Sequence, residues 1–268
     1  MKLLVVEGNP KELWAAREEM GGVAYHKRFK SMISLLCPDA EVAFAFPADH
    51  KPGISLVQLS RFDGILLTGS SLFLNDNIPE VTRQLEFADL LFDSGLPIYG
   101  SCWGLQVAAV VAGGNVSQCE KGREFGISSP IELSEDGRNH DFFKSRESGF
   151  QSLCIHADEV SIAPSRSTIL AKNKHSKIQA MCFKYKASEF FGVQYHPEFK
   201  ISDMIFIANI MSDRLISDGQ FESKSAVTKF ISKLENKERM PDSVLSYQEH
   251  IQEVTTWLNN ISAKPKKS

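Results

Sequence analysis

The chain has 268 residues, with 30 basic and 33 acidic side chains for a net charge of −3, and 43% of its residues are hydrophobic. That length can bury a sizeable core in one large domain or two small ones. The balanced charge excludes the basic excess of a nucleic-acid binder, and the opening "MKLLVVEGNP" lacks the long apolar stretch of a signal peptide or membrane anchor, so a cytoplasmic protein is expected.

Short apolar runs then alternate with segments of helical period, the pattern of parallel strands joined by crossover helices. "LLVVEG" reads as a first buried strand, and "PKELWAAREEM", opened by a proline suited to a first helical turn, begins a mostly helical region reaching about Cys37. "EVAFAF" is a second strand stopped by Pro47, and "FDGILLTGSS" a third that ends at Gly69 and Ser70. "IPEVTRQLEFADLLFDSG" carries Val81, Leu85, Ala88 and Leu91 or Phe92 on one helical face and is closed by Gly95. "PIYGS" is a fourth strand feeding the helix "LQVAAVVAGG".

After residue 115 the pattern changes to strands and turns: "GISSPIELSEDG" ends in a turn signal, and "SLCIHADEVSI", "TILAKN", "KIQAMCFKY" and "FFGVQYH" are β-rich. From about Gly219 the chain is polar and helix-forming, and "SAVTKFISKLEN" and "YQEHIQEVTTWLNNI" place apolar residues at helical spacing for packing on the main domain or on a partner chain. The expected architecture is an α/β fold with a flavodoxin-like open, mostly parallel sheet over residues 1–218, helices on both faces, a β-rich insertion, and a helical extension over 219–268 packed on it.

Five cysteines (Cys37, Cys102, Cys119, Cys154 and Cys182) are odd in number, far apart and without C-x-x-C spacing, which speaks for reduced thiols and against a disulfide framework or structural zinc. Cys102 differs from the rest. Gly100 and Gly104 bracket it where the fourth strand must turn sharply into a helix. Ligands of open parallel sheets bind beyond the carboxyl ends of strands. A turn there exposes a nucleophile at a helix N-terminus, where the dipole favours a thiolate and backbone N–H groups can hold an oxyanion. A cysteine nucleophile needs a base, and the base needs orienting. "FFGVQYHPEF" supplies both: Pro197 keeps the segment extended or turning, so Glu198 can face the same way as His196 and fix its tautomer.

"GSCWGLQ" followed much later by "YHPEF" resembles the class I, or triad, glutamine amidotransferases. "GILLTGS" is similar to that family's oxyanion strand, "GREFGI" to its loop beyond the nucleophile helix, and "IHADEV" to a strand end that often reads His-Gly-Asp. The likeness covers about residues 1–215 and is greatest to the stand-alone, guanylate-synthase-like branch. It implies Cys102 as nucleophile, His196 as base and then acid, and Glu198 as the orienting carboxylate. It also implies the backbone N–H groups of Ser70 and Trp103 as oxyanion donors. Gly69, Gln106, Gly122, Arg123, Glu124, His156 and Asp158 would shape a pocket for glutamine or a γ-glutamyl small molecule. For His156, a structural hydrogen bond within a strand is the competing reading. The sequence departs from the pattern in "TGS", where guanylate synthases carry two glycines, and in Ala157 for a glycine.

The resemblance implies hydrolysis of a γ-carboxamide through a glutamyl thioester, with no metal or organic cofactor. No P-loop or pyrophosphatase-like motif is present to activate an acceptor. Ammonia from glutamine would therefore serve a synthetase on another chain. The alternatives are a hydrolase or transferase acting on γ-glutamyl amides or peptides, where the leaving amine is larger, and a binding module that retains the fold without catalysis. No nucleic-acid or membrane partner is expected.

Overall fold

A computed structural model describes residues 1–238 and 247–263. Strands β1 (Lys2–Val6), β2 (Glu41–Ala45), β3 (Gly64–Leu67) and β4 (Ile98–Ser101) alternate with helices α1 (Lys11–Glu19), α2 (Tyr25–Leu36), α3 (Leu56–Leu59), α4 (Pro79–Phe92) and α5 (Trp103–Val111). Then follow β5 (Asn115–Gln118), β6 (Glu124–Ile127), β7 (Glu132–Leu133), α6 (Glu135–Asn139), β8 (Leu153–His156), β9 (Asp158–Ile162), β10 (Thr168–Lys172), β11 (Ala180–Tyr185) and β12 (Ser188–Val193). The C-terminal part is helical: α7 (Ile201–Ile210), α8 (Ser212–Ser217), α9 (Lys224–Glu238), α10 (Tyr247–His250) and α11 (Gln252–Ser262).

Eight strands form one sheet in the order β2-β1-β3-β4-β12-β11-β10-β7. The half from β2 to β12 is parallel, and β11, β10 and β7 extend it antiparallel. Much of the β-rich stretch therefore widens the main sheet. Among the described residues, only β5 with β9 and β6 with β8 stand apart as two-stranded ribbons. The run "SLCIHADEVSI", expected as one strand, divides at Ala157 into β8 and β9, which take different partners. Where "SEDG" signals a turn, the chain makes a short helix capped by the Ser134 side chain, which accepts from the Gly137 N–H at 2.9 Å.

Strand alternation sends successive residues to opposite faces. Leu3, Val5, Leu66, Tyr99 and Phe191 meet Phe29 and Met32 of α2 on one side, while Leu4, Val6, Leu67, Ile98 and Phe190 meet Phe87, Leu91 and Leu105 of α4 and α5 on the other. The C-terminal helix is part of this core: Val254, Trp257, Leu258 and Ile261 of α11 join the first face. Helix α9 packs on α7 through Leu234 and Phe230. Among the described residues, no helix is long and apolar enough to cross a membrane.

The bracketing glycines have a steric cause. A Cβ on Gly100 would lie 2.6 Å from the Gly104 carbonyl carbon, and one on Gly104 would lie 2.5 Å from the Leu67 carbonyl oxygen. With hydrogen in both places, α5 starts directly against β3 and β4, which brings the loop after β3 beside Cys102.

Candidate active site

Cys102 holds φ +49° and ψ −103°, in the region that L side chains rarely adopt. A conformation of this kind costs on the order of 1–3 kcal/mol and persists only where the surroundings impose it. Here they do. The Cys102 N–H is fixed to the Val193 carbonyl at 2.8 Å, and the residue behind it enters α5 at once.

His196 follows shortly after the last pairing of β12 with β4, Val193 beside Ser101. Its backbone N–H donates to the Leu153 carbonyl at 2.9 Å, and the Phe199 ring stacks on the imidazole with centroids 4.1 Å apart and planes 6° apart. The chain turns at Pro197, the Phe199 N–H closing onto the His196 carbonyl at 3.2 Å. That turn sets the Glu198 Oε1 2.7 Å from the imidazole Nδ1. Ser101, next to Cys102, donates its hydroxyl to the same Oε1 at 3.1 Å. With Nδ1 committed to the carboxylate, Nε2 is the nitrogen left for chemistry. It lies 3.4 Å from the Ile155 carbonyl, which the Cys102 Sγ also approaches at 3.7 Å. Burial pulls the imidazole toward its neutral form. The charges of Glu198 and Cys102, with hydrogen bonds to both, outweigh it and push the His196 pKa up to about 10.

Cys102 and His196 open onto a cavity of about 420 Å³, with Ser70, Gln106, Arg123 and Asp158 on its walls. Gly69 lies against the imidazole: a Cβ there would sit 2.9 Å from the His196 Cε1. Ser70 is held by its hydroxyl, which donates to the Gly8 carbonyl at 2.8 Å, and Asn9 Oδ1 accepts from the Ser71 N–H at 2.8 Å. Among the described residues, the backbone N–H groups of Ser70 and Trp103 have no protein acceptor. The Trp103 indole points elsewhere, donating to the Gln84 side chain at 2.8 Å.

Gln106 donates to the Asp158 carbonyl at 2.9 Å and so ties α5 to β9. Burial, then Asp76, push the Asp158 carboxyl up, against the opposing pull of His156 and Arg123. Arg123 pairs with Asp218 at 3.1 Å. Gly122 and Glu124, expected in the pocket, are not on the cavity wall. Gly122, at φ +75°, turns its carbonyl to His175 Nε2 at 3.0 Å. Glu124 is buried between His156 Nε2 at 3.0 Å, Gln179 at 2.9 Å and Asn173 at 2.8 Å. Burial pushes its carboxyl up, but the His156 hydrogen bond and charge hold it below the usual range. His156 borders the cavity with both ring nitrogens engaged, Nδ1 standing 3.0 Å from the Asp158 carbonyl, which is the arrangement of the structural reading. Asn9, Arg17 and Tyr25 also reach the cavity, and the sequence alone does not point to them. Asn9 follows the first strand, so the strand-end rule could have found it. Among the described residues, no cluster of three or more His, Cys, Asp or Glu could hold a metal ion.

Cys102, His196 and Glu198 thus come together at the carboxyl edge of the parallel half of the sheet, where β4 turns directly into α5. Residues 42–209 match the model of the glutamine amidotransferase class-I family, and the chain belongs to that family. It is 35% identical over 232 residues, 85% of this chain and 77% of the relative, to a gamma-glutamyl-L-1-hydroxyisopropylamide hydrolase of a Pseudomonas species. It is 29% identical over 178 residues, 66% of this chain and 84% of the relative, to one subunit of a glutamine-hydrolyzing GMP synthase from Methanococcus aeolicus. In fold it resembles a glutamine amidotransferase from Thermotoga maritima, with a TM-score of 0.72 at 15% identity over 98% of this chain and 99% of the other.

Proposed function

We propose that the protein hydrolyses the side-chain amide of γ-glutamyl compounds through a Cys102 thioester. The Cys102–His196–Glu198 arrangement at the base of the cavity carries this reading. The thiolate Sγ attacks the γ-carbonyl carbon, and the oxygen that becomes negative is met by the Ser70 and Trp103 N–H groups. As the C–N bond breaks, His196 Nε2–H gives its proton to the departing amine, leaving an acyl thioester. Water then attacks the thioester carbon and yields a proton to His196 Nε2. The C–S bond breaks, free glutamate leaves, and the thiolate–imidazolium pair is restored. Gly69 and Gln106 shape the pocket. Asp158 and Arg123 offer opposite charges to the α-ammonium and α-carboxylate of the glutamyl group. His156 is part of the cavity wall, and Glu124 acts behind it, the pair holding β6 to β8.

A second reading is favoured by the likeness to a GMP synthase component: glutamine is the substrate, and its ammonia passes to a synthetase on another chain. Measuring glutamate, ammonia and amine release from glutamine and from γ-glutamyl alkylamides tests both. Faster turnover of the substituted amides supports a stand-alone hydrolase. Preference for glutamine, increased by a synthetase, supports the second, and no glutamate from any amide overturns both. The five cysteines all stand as free thiols, which supports a cytoplasmic setting for this chemistry.

The electrostatics predict a pH signature. The pKa of His196 is raised, so its imidazolium persists through neutral pH and is lost on the alkaline side, where kcat/KM falls for want of a proton donor. Glu198→Gln removes the leading charge that sustains it and leaves burial to pull the pKa down. The alkaline limb of the kcat/KM profile then moves to lower pH. An alkaline limb that stays in place in Glu198→Gln would assign that limb to another group.

A further inference from the structure

The walls of the cavity are unequal. The departing amine takes its proton from His196, so it lies on the imidazole's side of the nucleophile. On that side the His196 ring is followed by Tyr25, with centroids 6.3 Å apart, and then by the Arg17 guanidinium, 4.9 Å above the Tyr25 ring. Arg17 belongs to α1, a helix with no buried residue, and α1 also turns Leu13 to the cavity, with Met20 just past its end. Leu13 is 41% and Met20 55% exposed, and Phe73 and Ile210, at 39% and 42%, continue the rim. The polar groups suited to a glutamyl end, Gln106, Asp158 and Arg123, are held on other elements, Gln106 bonded to β9 and Arg123 to Asp218 beyond α8. Large apolar side chains left in water around a catalytic mouth mark a surface that a ligand covers.

We infer that α1 forms a subsite for the leaving group and that the amine carries an uncharged apolar substituent, seated on Leu13 and Met20. The inference rests on the hydrolytic reading above and adds a substrate class to it. Arg17 sets the charge preference. Its guanidinium is fixed between the Tyr25 and Phe206 rings, 5.1 Å from the latter, and its Nε donates to the Val23 carbonyl at 2.9 Å. A second positive charge on the amine would face this cation at short range.

The test compares kcat/KM for glutamine and for the γ-glutamyl derivatives of methylamine, butylamine, aniline and 1,4-diaminobutane, with γ-glutamylglycine as an anionic control. The expected order places butylamide and anilide above methylamide and glutamine, with the diamine derivative at least about tenfold below butylamide. Met20→Ser and Leu13→Ser change exposed positions and should each lower the butylamide-to-glutamine ratio about tenfold, the scale of losing one good apolar contact. A parallel measurement does not depend on turnover: γ-glutamyl butylamide binding to Cys102→Ala by calorimetry, with and without Met20→Ser. Weaker binding in the double variant supports the subsite even where hydrolysis is slow. A flat series, γ-glutamylglycine or the diamine derivative as best substrate, or a ratio untouched by both variants overturns it and leaves the apolar rim to a protein partner. Loss of all turnover with the binding difference intact strikes the hydrolytic reading instead.

Discussion

Cys102→Ala is expected to lower kcat/KM on any γ-glutamyl amide by on the order of ten-thousand-fold, with little change in thermal stability. The covalent step needs the sulfur, and no neighbouring side chain can replace it: Ser101 is committed to Glu198, and Cys119 and Cys154 are buried, with burial the main cause pushing both thiols up. The fold should tolerate the change because the Sγ contacts, 3.7 Å to the Ile155 carbonyl and the one to His196, lie at the cavity, and alanine suffers the same backbone strain as cysteine at φ +49°. Residual hydrolysis would come from the oxyanion donors and His196 acting on water. Steady-state kinetics on purified native and variant protein, with a thermal melt of each, provide the check. A loss of only a few-fold would rule out the thioester, since a residue that forms and breaks the scissile linkage cannot be nearly dispensable.

The parts of this site that are legible in the sequence are those where one local constraint has one cause. Gly100, Cys102 and Gly104 are read together because only a strand that turns directly into a helix needs such neighbours, and the close contacts of Gly100 with α5 and of Gly104 with β3 give that need a distance. His196 and Glu198 are legible because Pro197 removes the helical option, and the resulting turn joins the imidazole to the carboxylate. The parallel half of the sheet follows from alternating apolar runs and helices for the same reason. The region from 115 to 185 does not, because antiparallel partners are chosen by non-local packing: β5 pairs with β9 and β6 with β8, across long intervening stretches, and no periodicity encodes that choice. Glu124 is expected in the pocket because its motif "GREFGI" resembles a loop of the amidotransferase family. Its strand position sends the carboxylate inward to His156 instead. The face of α1 is illegible for a different reason. Its apolar residues are not buried, so their spacing carries no core signal, and only the fold shows that they share a cavity with Cys102.

The largest loss of stability is expected far from the nucleophile, at Arg146. Its guanidinium makes two hydrogen bonds to Glu253 of α11, 3.0 Å from Nε to Oε1 and 3.1 Å from Nη2 to Oε2, and the Glu253 side chain is wholly buried. Burial pulls the Arg146 pKa down, but the Glu253 charge, then Tyr195 and the hydrogen bond to Glu253, raise it overall, so the guanidinium keeps its charge. Arg146→Ala would leave that side chain in the core with the Tyr195 hydroxyl, 2.8 Å away, as its remaining side-chain donor among the described residues. Removing one partner of a buried pair costs about 3–5 kcal/mol, whereas replacing both by apolar side chains can be neutral. Arg146→Met with Glu253→Leu should therefore recover most of what Arg146→Ala loses in a denaturant titration. Tyr195 adjoins His196 in the chain, so the same pair connects the C-terminal helix to the strand end that presents His196. A cost under about 1 kcal/mol for Arg146→Ala would mean that water reaches Glu253, and that α11 is attached to the core less firmly than the burial of Trp257 and Leu258 requires.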